Sequence, residues 1–246
     1  MNTSLDMRLA QRECPPGRPV LAMNWECLLF LHWKWDPGEI QKTLPDGLTV
    51  DTFDGQAWLA VVPFFMRRVH PRGLPCVPWL SDFLEFNVRT YVTDRHGVPG
   101  VWFYSLLCNQ PVAVEVARNF FHLNYLHARL AARDEVGNSA HFSWAEKGVG
   151  TASFLGREAG GYSAAVPGSL EFFLVERYVL FSTDRRGRIH SGRVHHSPYQ
   201  SAPAVAEQWS FRPAASLGFD DTGRPPDHVL LARAVQVNAW PIQAVK

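Results

Sequence analysis

Residues 84–92 read Leu84-Glu85-Phe86-Asn87-Val88-Arg89-Thr90-Tyr91-Val92. Successive side chains of a strand point to opposite faces. The spacing therefore predicts a strand with Leu84, Phe86, Val88 and Val92 on one side and Glu85, Asn87, Arg89 and Tyr91 on the other. One apolar and one polar face is the signature of an antiparallel sheet. The polar face has two readings at this point: it meets water, or it lines the inside of a barrel. Tyr125 to Ala132 alternates in the same way, with Tyr125, His127 and Arg129 opposite Leu126, Ala128 and Leu130.

The rest of the chain extends this strand-rich pattern. Asn24 to Trp35 reads as one buried strand. Asp36-Pro37-Gly38-Glu39 predicts a helix from Asp36 to Leu44, with Asp36 as cap and Pro37 in the first turn. Leu48–Phe53 and Gln56–Val69 are rich in β-branched and aromatic residues, and Asp54-Gly55 between them signals a two-residue hairpin. Arg72 to Ser81 is dense in Pro and Gly and reads as a loop. A further strand is expected at Val98–Cys108. Gln110–Phe121 has helical period, with Ala113, Val116, Ala117 and Phe120 on one face. More strands are expected at His141–Trp144, Thr151–Arg157, Arg188–His196 and Val229–Ala239, and a helix capped by Ser169 at Ser169–Ser182. No repeat and no low-complexity linker divides the chain, so one domain is expected.

Composition excludes several classes of partner. Apolar residues make up 46% and charged residues 19%, enough for a substantial core. The formal net charge is +1, which argues against a nucleic-acid partner held by a basic surface. The one compact basic run, Arg185-Arg186-Gly187-Arg188, reads as a solvated turn. No apolar stretch approaches the roughly 18–20 residues of a membrane helix. Met1 to Pro19 is polar and lacks an apolar signal core, so a cytoplasmic location is expected.

Few motifs of known chemistry are present. Cys14, Cys27, Cys76 and Cys108 form no CxxC pair; Cys27 and Cys108 lie in apolar runs, as buried free thiols do. His190, His195 and His196 do not make a metal site, because adjacent residues of a strand point apart and no acidic partner lies near in sequence. His196 is expected to shape the turn at Pro198. Asp82 and Glu85 are too sparse for paired carboxylates, and GxSxG, HExxH and phosphate-cradling loops are absent.

Several ordered motifs resemble the uncharacterised YqjF-like family. They are Phe30 to Trp35 with Asp36-Pro37; Leu44-Pro45-Asp46-Gly47-Leu48; Asp51 to Gly55; Glu85 to Val92; Gly100-Val101-Trp102-Phe103; Leu170 to Tyr178; and His196-Ser197-Pro198-Tyr199-Gln200. The likeness runs from about Asn24 to Trp240. That family is similar, more distantly, to acetoacetate decarboxylase. The resemblance implies an α+β, mainly β fold: a closed antiparallel β-barrel, cone-like or double-psi, with peripheral helices and a central cavity. The polar N-terminus reads as a loose arm over residues 1–23, which leaves one domain of this kind over 24–246. Fold alone does not imply the reaction.

The chemistry of those decarboxylases rests on a lysine that forms an imine with the ketone, beside a second lysine that lowers its pKa. Counting onward from Ala117-Arg118-Asn119, the two positions fall on Tyr125 and Leu126, neither of which can form an imine. The lysines of this chain are Lys34, Lys42, Lys147 and Lys246; Lys34, at a strand end, is the one that could reach inward. The family's acidic residue falls near Glu85, and its first-strand arginine near Glu26. If the barrel forms, Glu85, Tyr125 and His127 are candidate catalytic groups, and Arg89, Asn87 and Arg129 candidate ligand-binding groups. No metal or cofactor is called for. The expected partner is a small molecule, an anionic oxo- or carboxylic acid, rather than nucleic acid or membrane; a homo-oligomer is compatible with the sequence. Three readings remain open here: a binding barrel without turnover, a lysine-independent lyase or hydratase on a small organic acid, and an internally satisfied polar network with neither role.

Overall fold

The computed structural model describes residues 3–133, 139–146, 150–220 and 223–245. Among them the order is α1 (Leu5–Ala10), β1 (Leu21–Glu26), β2 (Leu28–Trp35), α2 (Pro37–Lys42), β3 (Leu48–Val50), β4 (Ala57–Pro71), β5 (Phe83–Asp94), β6 (Pro99–Cys108) and α3 (Pro111–Phe121). It continues with β7 (Tyr125–His127), β8 (Arg129–Arg133), β9 (Ser139–Glu146), β10 (Gly150–Glu158), β11 (Ser163–Ala164), α4 (Leu170–Val175) and β12 (Val179–Thr183). The last elements are β13 (Ile189–His195), β14 (Gln200–Gln208), α5 (Arg212–Ala215), β15 (His228–Ala232), β16 (Val235–Ala239) and β17 (Gln243–Ala244). The protein is mainly β.

Strand pairing runs from β4 to β5, β6, β12, β13, β16 and β1, and β1 pairs again with β4, so the pairings form a ring. A branch leaves β4 through β2, β15 and β14 to the layer of β10, β9 and β8. Most pairs are antiparallel, but β6 pairs in parallel with both β12 and β7. The sheet is thus mostly antiparallel, as expected, with β6 as the strand that carries the parallel pairings. The chain returns from β6 to β7 through α3, the crossover that a parallel neighbour requires.

Strand alternation sorts the apolar residues into clusters on opposite faces. Phe30, Trp58, Val62, Phe64, Tyr91 and Leu106 belong to one cluster. Leu29, Leu31, Leu59, Val61, Phe86 and Val88 belong to another, together with Phe142, Trp144 and Phe154 of the covering layer. Phe86 meets Phe142 and Phe154 edge-on, with ring centroids 5.8 and 5.5 Å apart. Gly156 passes directly against Leu29, where any added Cβ would clash.

Several expectations are corrected. The strand expected from Asn24 to Trp35 is two, broken at Cys27, whose φ of 52° turns the backbone out of the extended region. The Asp54-Gly55 turn forms, with φ of 50° and 77°. It closes only the Phe53–Gln56 bridge, and β3 pairs with β5 instead of β4. Ser169 caps α4 by accepting from the Phe172 N–H, but the helix ends at Val175 rather than Ser182. The β-branched and aromatic run beyond it enters the sheet as β12, between β6 and β13. Phe120 of α3 is 71% exposed rather than packed with Ala113 and Ala117. The N-terminal residues, expected to be loose, carry α1, from which Arg8 and the following Arg12 reach buried carboxylates. The basic run at 185–188 is the exposed turn expected, with Asp184 accepting from the backbone of Arg186 and Arg188.

Candidate ligand-binding site

β5 and β6 are adjacent, and β7 lies on the far side of β6, so Asn87, Leu106 and Tyr125 share a row across three strands. Tyr125 therefore comes diagonally opposite Glu85. Its hydroxyl donates to Glu85 Oε2 at 2.6 Å, and both side chains are buried. They line a cavity of about 280 Å³ whose walls are largely apolar, including Met66, Phe83, Val101 and Phe103, with Ala113 and Ala117 of α3 along one side.

Burial raises the Glu85 carboxyl to about 7, because a charge there loses its hydration; hydrogen bonds from Tyr125 and Asn87 offset part of that rise. Burial also holds the Tyr125 phenol well above its usual range, with the Glu85 charge adding to the effect. The neighbouring Cys108 thiol is pushed up to about 12, again chiefly by burial, and is inert at neutral pH.

Two guanidiniums line the same cavity, Arg89 and Arg177. Arg89 lies over the rings of Phe30 and Tyr91, at 5.3 and 5.6 Å, and its Nη2 donates to the Leu174 carbonyl. It forms no ion pair among the described residues, and its buried Nε has no partner. Arg177 stacks on Phe173 and Tyr91, donates through Nη1 to Asp51 and through Nε to the Phe173 carbonyl, and leaves its buried Nη2 unpartnered. Burial pulls Arg177 down to about 10, partly offset by Asp51. Asp51 also receives both terminal nitrogens of Arg8 at 2.8 Å. Burial alone would raise Asp51, but the two guanidiniums outweigh it and hold the carboxyl below its usual range. Glu176 next door accepts from Arg12, the Tyr178 hydroxyl and the Tyr199 backbone.

A polar row crosses the same sheet face. His228, His32, Ala60 and Arg89 are register partners on β15, β2, β4 and β5. His32 Nδ1 lies 3.5 Å from His228 Nδ1, and His228 Nε2 lies 3.5 Å from Glu171. Burial holds His32 well below the usual histidine range, with the nearby charges of His228 and Arg89 contributing.

Of the sequence-derived candidates, Glu85, Tyr125 and Arg89 line the cavity, and Asn87 is buried beside Glu85. His127 and Arg129 are exposed, which corrects their assignment to a shared interior face. The expected single strand is interrupted at Ala128, whose N–H donates to the Cys108 carbonyl; there the chain leaves β7 for the outer layer. Arg177 escaped the sequence reading because the run around it read as a longer helix. Its signal was the Glu176-Arg177 charge pair inside an otherwise apolar stretch. Lys34 is exposed near Trp58 and Lys42 pairs with Glu39, so neither lines the cavity; Lys147 and Lys246 lie outside the described residues. His190 does have an acidic neighbour, Asp184 at 3.3 Å, and His196 donates through Nδ1 to the Ser197 carbonyl beside the Pro198 turn. Among the described residues, no three His, Cys, Asp or Glu side chains are grouped as a metal site would need. No helix among them is long and apolar enough to cross a membrane.

The model of the DUF2071 family, described as an uncharacterized conserved protein, matches residues 22–236. The chain is 34% identical over 195 residues to the uncharacterized protein YqjF of Bacillus subtilis (strain 168), covering 78% of this chain and 79% of that one. Among solved structures it is similar to acetoacetate decarboxylase from Legionella pneumophila, with a TM-score of 0.63, 11% identity and coverage of 94% and 88%. It is also similar to the enduracididine biosynthesis enzyme MppR, complexed with the condensation product of pyruvate and imidazole 4-carboxaldehyde, with a TM-score of 0.63, 12% identity and coverage of 93% and 90%. At these identities the two structures speak to fold alone. A family match across most of the length and a Bacillus relative 34% identical over 78% of the chain place this chain in the DUF2071 family, on an acetoacetate decarboxylase-like fold.

Proposed function

We propose that the protein binds a small organic acid in the cavity of a closed barrel, within a single domain spanning residues 24–246. Its carboxylate faces Arg89 and Arg177, and its apolar body lies against the cavity walls. The observation that carries this reading is the pair of unpartnered buried guanidinium nitrogens, Arg89 Nε and Arg177 Nη2, at one apolar cavity. Buried donors without acceptors are costly, and a carboxylate satisfies a guanidinium through two parallel charge-assisted bonds. The cavity volume of about 280 Å³ suits a short acid. The solved MppR complex holds a product built from pyruvate, an oxo acid of that size class.

The imine route of acetoacetate decarboxylase is not the proposed chemistry. Tyr125 stands where the reactive lysine is expected, and a phenol cannot form the iminium that accepts electrons as carbon dioxide leaves. Titration calorimetry with 2-oxobutanoate tests the binding reading, and Arg89→Met is expected to weaken it at least tenfold. Incubation with acetoacetate and borohydride should leave the protein mass unchanged. A lysine adduct together with release of carbon dioxide would overturn the lysine-independent reading.

A further inference from the structure

We infer that Glu85 is a general base acting on a short 2-oxo acid with an apolar side chain, removing a proton from the carbon next to the ketone. This deepens the proposed function and rests on it. Glu85 and Arg89 are four residues apart on one strand, about 13 Å between Cα atoms at strand spacing. Both side chains enter the same cavity, one from each end of that interval. An acid held at the guanidiniums by its carboxylate therefore extends its carbon chain toward Glu85.

The 2-oxo acid is the class that fits both ends. Its ketone oxygen lies beside its carboxylate, so one fork of N–H donors can meet both. That places the cation where negative charge develops on enolisation. Tyr125 donates to Glu85 Oε2, which fixes the carboxylate at the cavity wall. Tyr125 is accordingly a positioning residue. The step balances without a co-reactant. Glu85 takes the proton, the C–H electron pair becomes the enolate double bond, and the ketone π pair moves to the oxygen at the guanidinium. Glu85 exchanges its proton with solvent and returns one to carbon, so the net reaction is hydrogen exchange between ligand and water.

The test follows 2-oxobutanoate and 4-methyl-2-oxopentanoate by proton NMR in heavy water with the full chain, with binding measured by calorimetry on the same samples. The expected result is loss of the signal next to the ketone above the buffer rate. Glu85→Gln should lower that exchange about a hundredfold or more while binding persists. In the unaltered protein, exchange should climb with pH and level off above about 7 as Glu85 ionises. Tyr125→Phe should move that midpoint upward, because the bond that favours the carboxylate is gone; a purely structural role would leave the midpoint in place. Binding without exchange, or equal exchange in Glu85→Gln, overturns this inference and leaves the binding reading standing. Absence of binding by both acids overturns the two together.

Discussion

Glu85 keeps its proton to higher pH than a carboxyl in water because burial strips the charged form of its hydration, and the Tyr125 and Asn87 bonds only partly compensate. Its folded value of about 7 lies above the ordinary 4.5, so between those pH values the folded protein holds a proton the unfolded chain has released. Stability from this group is therefore lost as pH rises through that window, by roughly 3 kcal/mol once complete. Glu85→Gln removes the titration, and at pH 8 it should raise the denaturation midpoint; a lower midpoint would contradict a charged, unpaired carboxylate there. His32 and His196, held low chiefly by burial, act in the opposite sense. As pH falls below 6.5 the unfolded chain takes up protons that the folded state resists, and stability drops. At this scale the sequence was legible where alternation holds, which is how Glu85, Asn87 and Arg89 were found. It failed at His127 and Arg129 because a strand period carries no mark of the point where a chain leaves one sheet for another.

The elements that hold the guanidiniums in place are tied through one carboxylate. Asp51 follows β3, receives Arg8 from α1 and receives Arg177 just beyond α4. Asp51→Asn leaves Arg177 buried without its counter-charge, which is expected to cost about 3–5 kcal/mol in chemical denaturation. Loss of ligand affinity should accompany it, since Arg177 is then free to turn away from the cavity. The helix starts were readable from their caps: Asp36 accepts from Glu39 and Ser169 from Phe172. The end of α4 was not, because Glu176 and Arg177 look like a helix surface until Arg12 and Asp51 are seen to enclose them. Both partners lie more than a hundred residues away in the chain. The break at Cys27 was equally hidden, since a thiol inside an apolar run gives no hint of a left-handed turn.

For the molecule as a whole, the order of motifs conveyed the fold family, while the parallel seam between β6 and β12 came only with coordinates. That seam has two register pairs, Leu180 with Val101 and Phe181 with Trp102. Gly100 beside it is required, because a Cβ there would lie 2.6 Å from both Phe181 and the Val179 carbonyl. Gly100→Ala should destabilise the protein by more than about 1 kcal/mol, read from its denaturation midpoint. The ring and its branch also join early strands of the sequence to late ones. β1 pairs with β16, with Leu21 against Ala239, and β2 pairs with β15. During synthesis, β1 and β2 can pair with β4 early, but their other partners, β16 and β15, emerge much later. Until the last tenth or so of the chain is made, β1 has an unoccupied edge of the kind that recruits other strands. A chain stopped after Arg233 should be recovered as aggregate, and the timing of translation past that point sets when the protein can first close.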